Sequence, residues 1–290
     1  MSPKPPEICA LPWLTVLEVR GPDAEVFSHS QLANDVKNLP LGHWQWNTCL
    51  SVQGRVIALF LLLKPASDAL WLIVPDDLAE TLKSHLERYR LRSKLDLNLR
   101  PELAPCGQTD GPFDRARPPA QGGALGLAQT GHALELAGTH QRRMMLGDAP
   151  HSPELEAQWR AADIDDGLPW ITEPTREAFI PQALQLDRLA AFSVSKGCYP
   201  GQEIVARTHF LGRNKRALAR FELAGAHALP AGARLHDLDG HDGSAIGVVL
   251  SAQACGDRTL GLAVMRDAQV AVGSIDGMTV SIRPLNQSPA

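Results

Sequence analysis

Apolar and polar residues alternate from Leu14 to Arg20, the period-two trace of a half-buried strand, and Gly21-Pro22-Asp23 then turns the chain. Pro22 suits the first position of a helix, which the spacing carries through Val26 and Phe27 toward Leu32. Residues 47–63 and 70–74 read as two strands with a turn-rich stretch, Lys64 to Asp68, between them. Within the first, the eight apolar residues Val56 to Leu63 predict a strand buried on both faces. Asp76 or Asp77 is placed to cap a helix, with Glu80 three residues after Asp77, and Leu78, Leu82, Leu86 and Tyr89 fall on one face of it. Leu95, Leu97 and Leu99 alternate with polar residues as a further strand. Strand, strand, helix, strand is the skeleton of a small α+β subdomain.

Residues 105–123, rich in Pro, Gly, Asp and Gln, read as a loop or subdomain boundary. Short strands follow near 124–128 and 133–137, then a helix from about Pro153 to Asp163 with Leu155 and Trp159 four residues apart. An irregular start and a short helix are expected over 174–191. After Gly212 the apolar runs are short, at 217–223, 246–250, 259–264, 269–272 and 278–282. Gly, Asp and His turns separate them and no helical period is visible, which is the pattern of a small terminal β-barrel or sandwich.

Composition narrows the classes. At 290 residues the chain suggests about two domains and can bury a core without a staple. Hydrophobic residues at 44% and charged residues at 21% exclude a mainly disordered chain. A net charge of −4 argues against a strongly basic nucleic-acid binder, so any RNA contact is confined to a local patch. The cysteines, at 9, 49, 106, 198 and 255, are odd in number and form no CxxC pair. A structural zinc site, a local cluster-ligand run and a secreted disulfide framework are therefore disfavoured, and free thiols suit a reducing cytoplasm. The stretch MSPKPPEICALPW has no apolar core of signal-peptide type, and the longest apolar run is far short of the ~20 residues that span a bilayer. The ten histidines are scattered without HxH or HxxxH spacing, and none is assigned to a metal.

The densest chemical signal is Lys196-Gly197-Cys198-Tyr199-Pro200-Gly201-Gln202-Glu203, followed by IVARTHFLGRNKRAL. Pro200 and Gly201 read as the start of a helix, packed by Ile204, Val205, Thr208 and Phe210 and ended by Gly212. Cys198 then stands just before a helix N-terminus, whose partial positive charge stabilises a thiolate, and Lys196 adds to that where its ammonium points inward. A small packed residue beside a tight turn leaves the same trace, so the residues alone leave Cys198 open between a reactive and an inert thiol. Gly197 and Gly201 read equally well as positive-φ turn positions.

A second candidate is Trp159 with Asp163, Asp165 and Asp166 in QWRAADIDDGLPW. An indole beside a carboxylate makes a floor and an anchor for a flat heterocycle with an N–H edge. The commoner arrangement with the same spacing is a core tryptophan followed by a solvated acidic turn. A third is the basic run Arg207, Arg213, Lys215, Arg216 and Arg220, which suits a phosphate or a polyglutamate tail but is more often a solvated face.

The segment FIPQALQLDRLAAFSVSKGCYPGQEIVARTHFLGRNKRAL resembles the signature of the YgfZ family of folate-binding proteins. Its K-G-C-Y-x-G-Q-E core is complete in Lys196, Gly197, Cys198, Tyr199, Gly201, Gln202 and Glu203, and V-A-R at 205–207 and N-K-R-A at 214–217 also match. Weaker similarity lies in QLANDV at 31–36 and IDDGLP at 164–169. The likeness is specific over about 45 residues, far denser than a lone short motif.

The family is similar in fold to the T-protein of the glycine-cleavage system, a tetrahydrofolate-dependent aminomethyltransferase. The resemblance implies an α+β chain of three small domains in a ring around a central channel, the last an antiparallel β-barrel. The expected limits are 1–46 with 113–213 for a folate-binding-type domain carrying the motif, 47–112 for a ferredoxin-like subdomain and 214–290 for the barrel. It implies tetrahydrofolate as bound ligand, with Trp159 and Trp13 at folate-contacting positions. Asp165 falls where the T-protein relatives have a pterin-binding glutamate, one methylene shorter in reach. Tyr199, Gln202, Glu203 and Arg207 are expected around the ligand or the motif loop, and Cys198 with Lys196 at the reactive centre.

The T-protein pattern has a G-G-x-x-D-D type segment that supplies a catalytic aspartate. The corresponding stretch here is Gly54-Arg55-Val56-Ile57-Ala58-Leu59, without a carboxylate. A transfer that needs that aspartate lacks its key group. The implied function is an accessory role in assembly or repair of iron–sulfur clusters, supporting tRNA-modifying iron–sulfur enzymes indirectly, with a cluster at most a transient visitor. A folate-dependent aminomethyltransferase-like one-carbon transferase is the alternative, and an RNA-binding module ranks third. The expected partners are folate and iron–sulfur client proteins. Neither stable nucleic-acid binding nor membrane association is expected, and the chain is expected to be a cytoplasmic monomer.

Overall fold

The computed structural model describes residues 7–109, 121–128, 131–136, 142–212, 214–238, 245–267 and 269–285. In chain order they form β1 (Ile8–Ala10), β2 (Leu14–Arg20), α1 (Ala24–Gln31), β3 (His43–Leu50), β4 (Val56–Ala66), β5 (Ala69–Pro75), α2 (Asp76–Arg90), β6 (Asp96–Leu99) and β7 (Pro105–Thr109). There follow β8 (Gly122–Ala124), β9 (Gly126–Ala128), β10 (Gly131–Leu136), β11 (Arg142–Leu146), α3 (Pro153–Asp165) and α4 (Gln202–Leu211). The last are β12 (Ala217–Ala224), β13 (Arg234–His236), β14 (Ala245–Cys255), β15 (Arg258–Met265), β16 (Val272–Ile275) and β17 (Met278–Pro284).

Three antiparallel assemblies result. One sheet runs β6-β2-β5-β4-β3-β8, a second runs β1-β7-β11-β10-β9, and β12-β15-β14-β13-β16-β17 close into a barrel. The α+β class with a terminal antiparallel barrel is thus present. β4 is interior to its sheet, and Val56 to Leu63 are buried on both faces, as a continuous apolar run requires. β2 pairs with both β5 and β6, so residues on either side of position 46 share one sheet. Leu78, Leu82 and Leu86 seat α2, while Tyr89 at its end is 39% exposed.

Several boundaries differ from the sequence reading for local physical reasons. The expected strand over 47–63 is a hairpin: Ser51 N–H donates to the Arg55 carbonyl at 2.8 Å, and Gly54 supplies the positive φ of +68° that the reversal needs. Asp76 and Asp77 open α2 rather than cap it, and the Asp77 carboxylate accepts the Glu173 N–H at 2.9 Å. Pro105–Thr109 form a strand rather than a loop because β1 and β11 pair on its two sides. Residues 173–175 and 181–184 form single 3-10 turns in place of a short α-helix. No helix among the described residues is long and apolar enough to cross a membrane.

Candidate functional site

The motif loop is braced against three elements. The Lys196 ammonium reaches the carboxyl end of α1, donating to the Leu32 carbonyl at 2.5 Å and to the His29 carbonyl. A cation at a helix C-terminus satisfies carbonyls left without helical partners and meets the negative end of the dipole. Burial pushes Lys196 down to about 8. Tyr199 is buried, its hydroxyl donates to the Ser193 carbonyl at 2.8 Å, and the Lys196 ammonium lies 5.0 Å from its ring centroid. Gln202 donates to the Lys196 carbonyl at 3.3 Å and closes the loop onto the first turn of α4. The chain leading into the loop is tied down as well, Ser193 N–H to the Ala33 carbonyl at 2.9 Å and Asn34 Nδ2 to the Ala190 carbonyl at 2.6 Å. The two segments of family type, 31–36 and 196–203, therefore meet in space.

Gly201 completes the brace. Its φ is +79°, and a Cβ there would stand 2.5 Å from the Ser51 carbonyl oxygen and 2.7 Å from Gly54 Cα. The motif loop consequently lies directly on the β3–β4 turn, at the start of the 54–59 segment. Ala58 and Leu59 within that segment are fully buried. Gly197 faces open space and is absent from the positive-φ positions, so the turn reading holds for Gly201 and not for Gly197.

Cys198 is exposed, in contrast to the buried Cys9, Cys49 and Cys106. Burial raises the Cys49 thiol to about 12 and the Cys106 thiol to about 11, which keeps both protonated. The Lys196 ammonium, expected to tune the thiol, is instead committed to α1. Glu203 and Arg207 are exposed on α4. Of the residues expected to pack that helix, Val205 is buried, but Ile204 and Phe210 are exposed.

A second constellation surrounds α3. Trp159 is buried, with the Arg142 guanidinium 4.7 Å over its ring and Gly107 against it so closely that a Cβ would stand 2.5 Å from Cε3. Covered in this way, its ring offers no free face for a stacked ligand. Arg142, itself buried, forks between Asp163 at 2.5 Å and Asp166 at 2.7 Å. Burial works against that guanidinium, and the two carboxylates outweigh it, leaving its pKa raised. The other Asp163 oxygen accepts the Trp170 indole N–H at 3.0 Å. Trp13 is half-buried, with its ring edge-on to Trp170 at 5.4 Å and the Arg160 guanidinium 4.6 Å above it. Trp170 also meets Trp46 of β3 at 5.3 Å, and the Trp46 carbonyl accepts from Asn34 at 2.8 Å. β3 thereby links the tryptophan cluster to the brace of the motif loop.

The basic run does not form one patch. Arg220 turns to the carboxyl end of α3, donating to the Asp165 and Ile164 carbonyls, whereas Arg207, Lys215 and Arg216 are exposed and Arg213 lies outside the described residues. Arg142 and Trp170 were missed in the sequence. The one signal for a missing cation was Asp163 and Asp166, three apart at a helix end, since two carboxylates so placed need a partner when buried. Among the described residues no three His, Cys, Asp or Glu side chains converge as a metal-ligand set.

No protein-family model matches the chain. A protein of Haemophilus influenzae described as uncharacterized is 32% identical over 212 residues, 72% of this chain and 70% of that one. A "tRNA-modifying protein YgfZ" of Edwardsiella ictaluri is 30% identical over 266 residues, covering 84% of this chain and 79% of the relative. Among solved structures, the glycine cleavage system aminomethyltransferase T of Bartonella henselae matches with a TM-score of 0.67 over 96% of this chain and 85% of that one. At 14% identity that likeness shows the T-protein fold and nothing about activity.

Proposed function

The chain belongs to the YgfZ family, and on that premise we propose that it is a tetrahydrofolate-binding accessory protein for the assembly or repair of iron–sulfur clusters. Its effect on tRNA modification is then indirect, through iron–sulfur client enzymes in the cytoplasm. The observation that carries the reading is the seating of the Cys198 loop. An exposed thiol is held, through Gly201, on the turn where the T-protein pattern leads into its catalytic carboxylate segment, and this chain has Ala58 and Leu59 there instead. An accessible thiol stands beside this segment while the aspartate needed for one-carbon transfer is missing, which disfavours the aminomethyltransferase alternative.

The residues fit a folate in one specific respect. The indole nitrogens of Trp13 and Trp159 and Nε of Arg142 are buried donors without an acceptor among the described residues. Three such donors around α3 suit a ligand rich in carbonyl, ring-nitrogen and carboxylate acceptors, because a buried unpaired donor costs about 1–3 kcal/mol. In this reading Trp13 and Asp165 hold the ligand and Trp159 forms the wall behind it. Tetrahydrofolate, when bound, brings a reducing one-carbon carrier near the site. This chain's own part is to orient it, while Cys198 presents its thiol to the client or to a cluster in passage.

The test is calorimetric titration with tetrahydrofolate under anaerobic, reducing conditions, comparing the native protein with Trp13→Ala. Trp13 is chosen because its burial is partial, so the variant keeps its core. Binding weakened by about 1–3 kcal/mol is expected for one lost aromatic partner. Absence of binding by the native protein would remove the folate role. In a strain lacking the protein, Cys198→Ala is expected to leave iron–sulfur enzyme activity unrestored.

A further inference from the structure

α4 carries an apolar side that the fold leaves uncovered. Ile204, Phe210 and Leu211 are 37%, 69% and 84% exposed. Ile204 and Leu211, seven residues apart, lie one above the other on the helix, and Phe210 stands about 100–120° round from them with Arg207 between. The β3–β4 turn extends this side: Gly54 packs on the Ile204 side chain, and Val52 at the turn is 63% exposed. Contiguous exposed apolar side chains on two adjoining elements mark an interaction surface in a soluble chain. Arg207 lies on this part of α4, and Lys215 and Arg216 follow just beyond its end; all three are exposed and in no ion pair among the described residues, with the Arg216 guanidinium 6.0 Å over the Phe179 ring. Against one exposed carboxylate on the same helix, Glu203, these three cations leave a locally positive surface in a chain of net charge −4.

We propose that this face docks a protein partner whose own surface offers an apolar patch edged by carboxylates. The proposal rests on the accessory reading above and makes that partner the iron–sulfur client. Three of the four exposed apolar residues are aliphatic, which contribute buried area to a protein interface but no stacking surface to a base. A second copy is disfavoured because a two-fold contact would bring one cationic rim against another. Cys198 precedes α4 by four residues, and the helix spans about 15 Å, so a partner seated along it has its surface within reach of the thiol.

The test uses the double variant Phe210→Asp/Leu211→Asp, at positions exposed enough to keep the fold. Purified variant is checked for an unchanged thermal midpoint and tetrahydrofolate affinity. In the deletion strain it is expected to restore about ten-fold less iron–sulfur enzyme activity, the scale of losing two interface anchors. Cys198→Ala runs beside it. Restoration by Cys198→Ala overturns the accessory reading. Failure of Cys198→Ala with full restoration by the double variant overturns the docking surface alone. A photo-crosslinking amino acid at position 210 identifies the occupant in cells. An adduct with an identified iron–sulfur protein, lost in Lys215→Glu/Arg216→Glu, is the expected result. An adduct with RNA, with a second copy or within the same chain, or no adduct, overturns the proposal.

Discussion

Gly201→Ala tests whether the motif loop sits on the β3–β4 turn. At φ +79° a side chain costs about 1–2 kcal/mol through the clash of Cβ with its own carbonyl. The new methyl would also lie 2.5 Å from the Ser51 oxygen, 2.7 Å from Gly54 Cα and 2.9 Å from Gly54 N. These are backbone atoms of a closed turn, fixed by Ser51 N–H to Arg55 at 2.8 Å and Gly54 N–H to Ser51 at 2.9 Å, so none can rotate aside. Either the turn or the start of α4 must move, at about 1–3 kcal/mol on the scale of overpacked cores. The sum is a loss of roughly 2–5 kcal/mol. Gly197→Ala is the control: nothing lies within 4 Å of its Cβ, and a change within about 0.5 kcal/mol is expected. Urea denaturation of both variants measures the difference, and thiol alkylation reports the loop. If Gly201→Ala unfolds like Gly197→Ala and its Cys198 reacts at the native rate, the motif loop does not rest on the β3–β4 turn.

Arg142→Met leaves Asp163 and Asp166 buried without their cation and is expected to cost about 3–5 kcal/mol by denaturant unfolding, whereas a loss under 1 kcal/mol would mean the pair is solvated. Alkylation of the native protein followed by peptide mass mapping is expected to mark Cys198 first and to leave Cys9, Cys49 and Cys106 unlabelled until unfolding. Lys196 gives a pH signature. Its native pKa, about 8, is below the unfolded value of 10.5, so between these the unfolded chain holds a proton that the native chain has released. Stability from this group therefore rises with pH across that window, by up to about 3 kcal/mol, and is lowest below pH 8. Lys196→Met should flatten the slope, and an unchanged slope would show that the ammonium is not buried against α1.

What could be read in the sequence was whatever its neighbours in the chain determine. β2, β4 and the barrel strands follow from period-two or unbroken apolar runs, because a strand's burial is written into its own residues. α4 begins where Pro200 and Gly201 place it for the same local reason. The hairpin at 51–55 escaped because Val52 and Gln53 carry no turn signal and Gly54 alone marks the reversal. Partners distant in sequence were not legible. Lys196 was read beside Cys198, two residues away, yet its hydrogen bonds run to carbonyls 164 and 167 positions distant. Trp159 was placed as a stacking surface, but its neighbour Gly107 lies on a strand that sequence reading assigned to a loop. Phe210 has helical spacing on an amphipathic segment, and spacing cannot say whether the apolar side faces a core or a partner.

The division of labour within Lys196–Glu203 bears on what the thiol does. Lys196 holds α1, Tyr199 holds Ser193, Gly201 rests on the turn and Gln202 closes the loop onto α4. Each contact faces inward and fixes the backbone on both sides of Cys198, which alone with Gly197 faces outward among the first four residues of the motif. A cysteine serving only to fill space would be placed as Cys9, Cys49 and Cys106 are, at 3% exposure or less. Here the surrounding residues restrict the loop's conformational freedom and leave the sulfur accessible. That combination stabilises nothing through the thiol itself, and it lowers the entropic cost of presenting the sulfur to an incoming group. On the accessory reading proposed above, that incoming group belongs to the client, and the loop serves a second molecule rather than the fold.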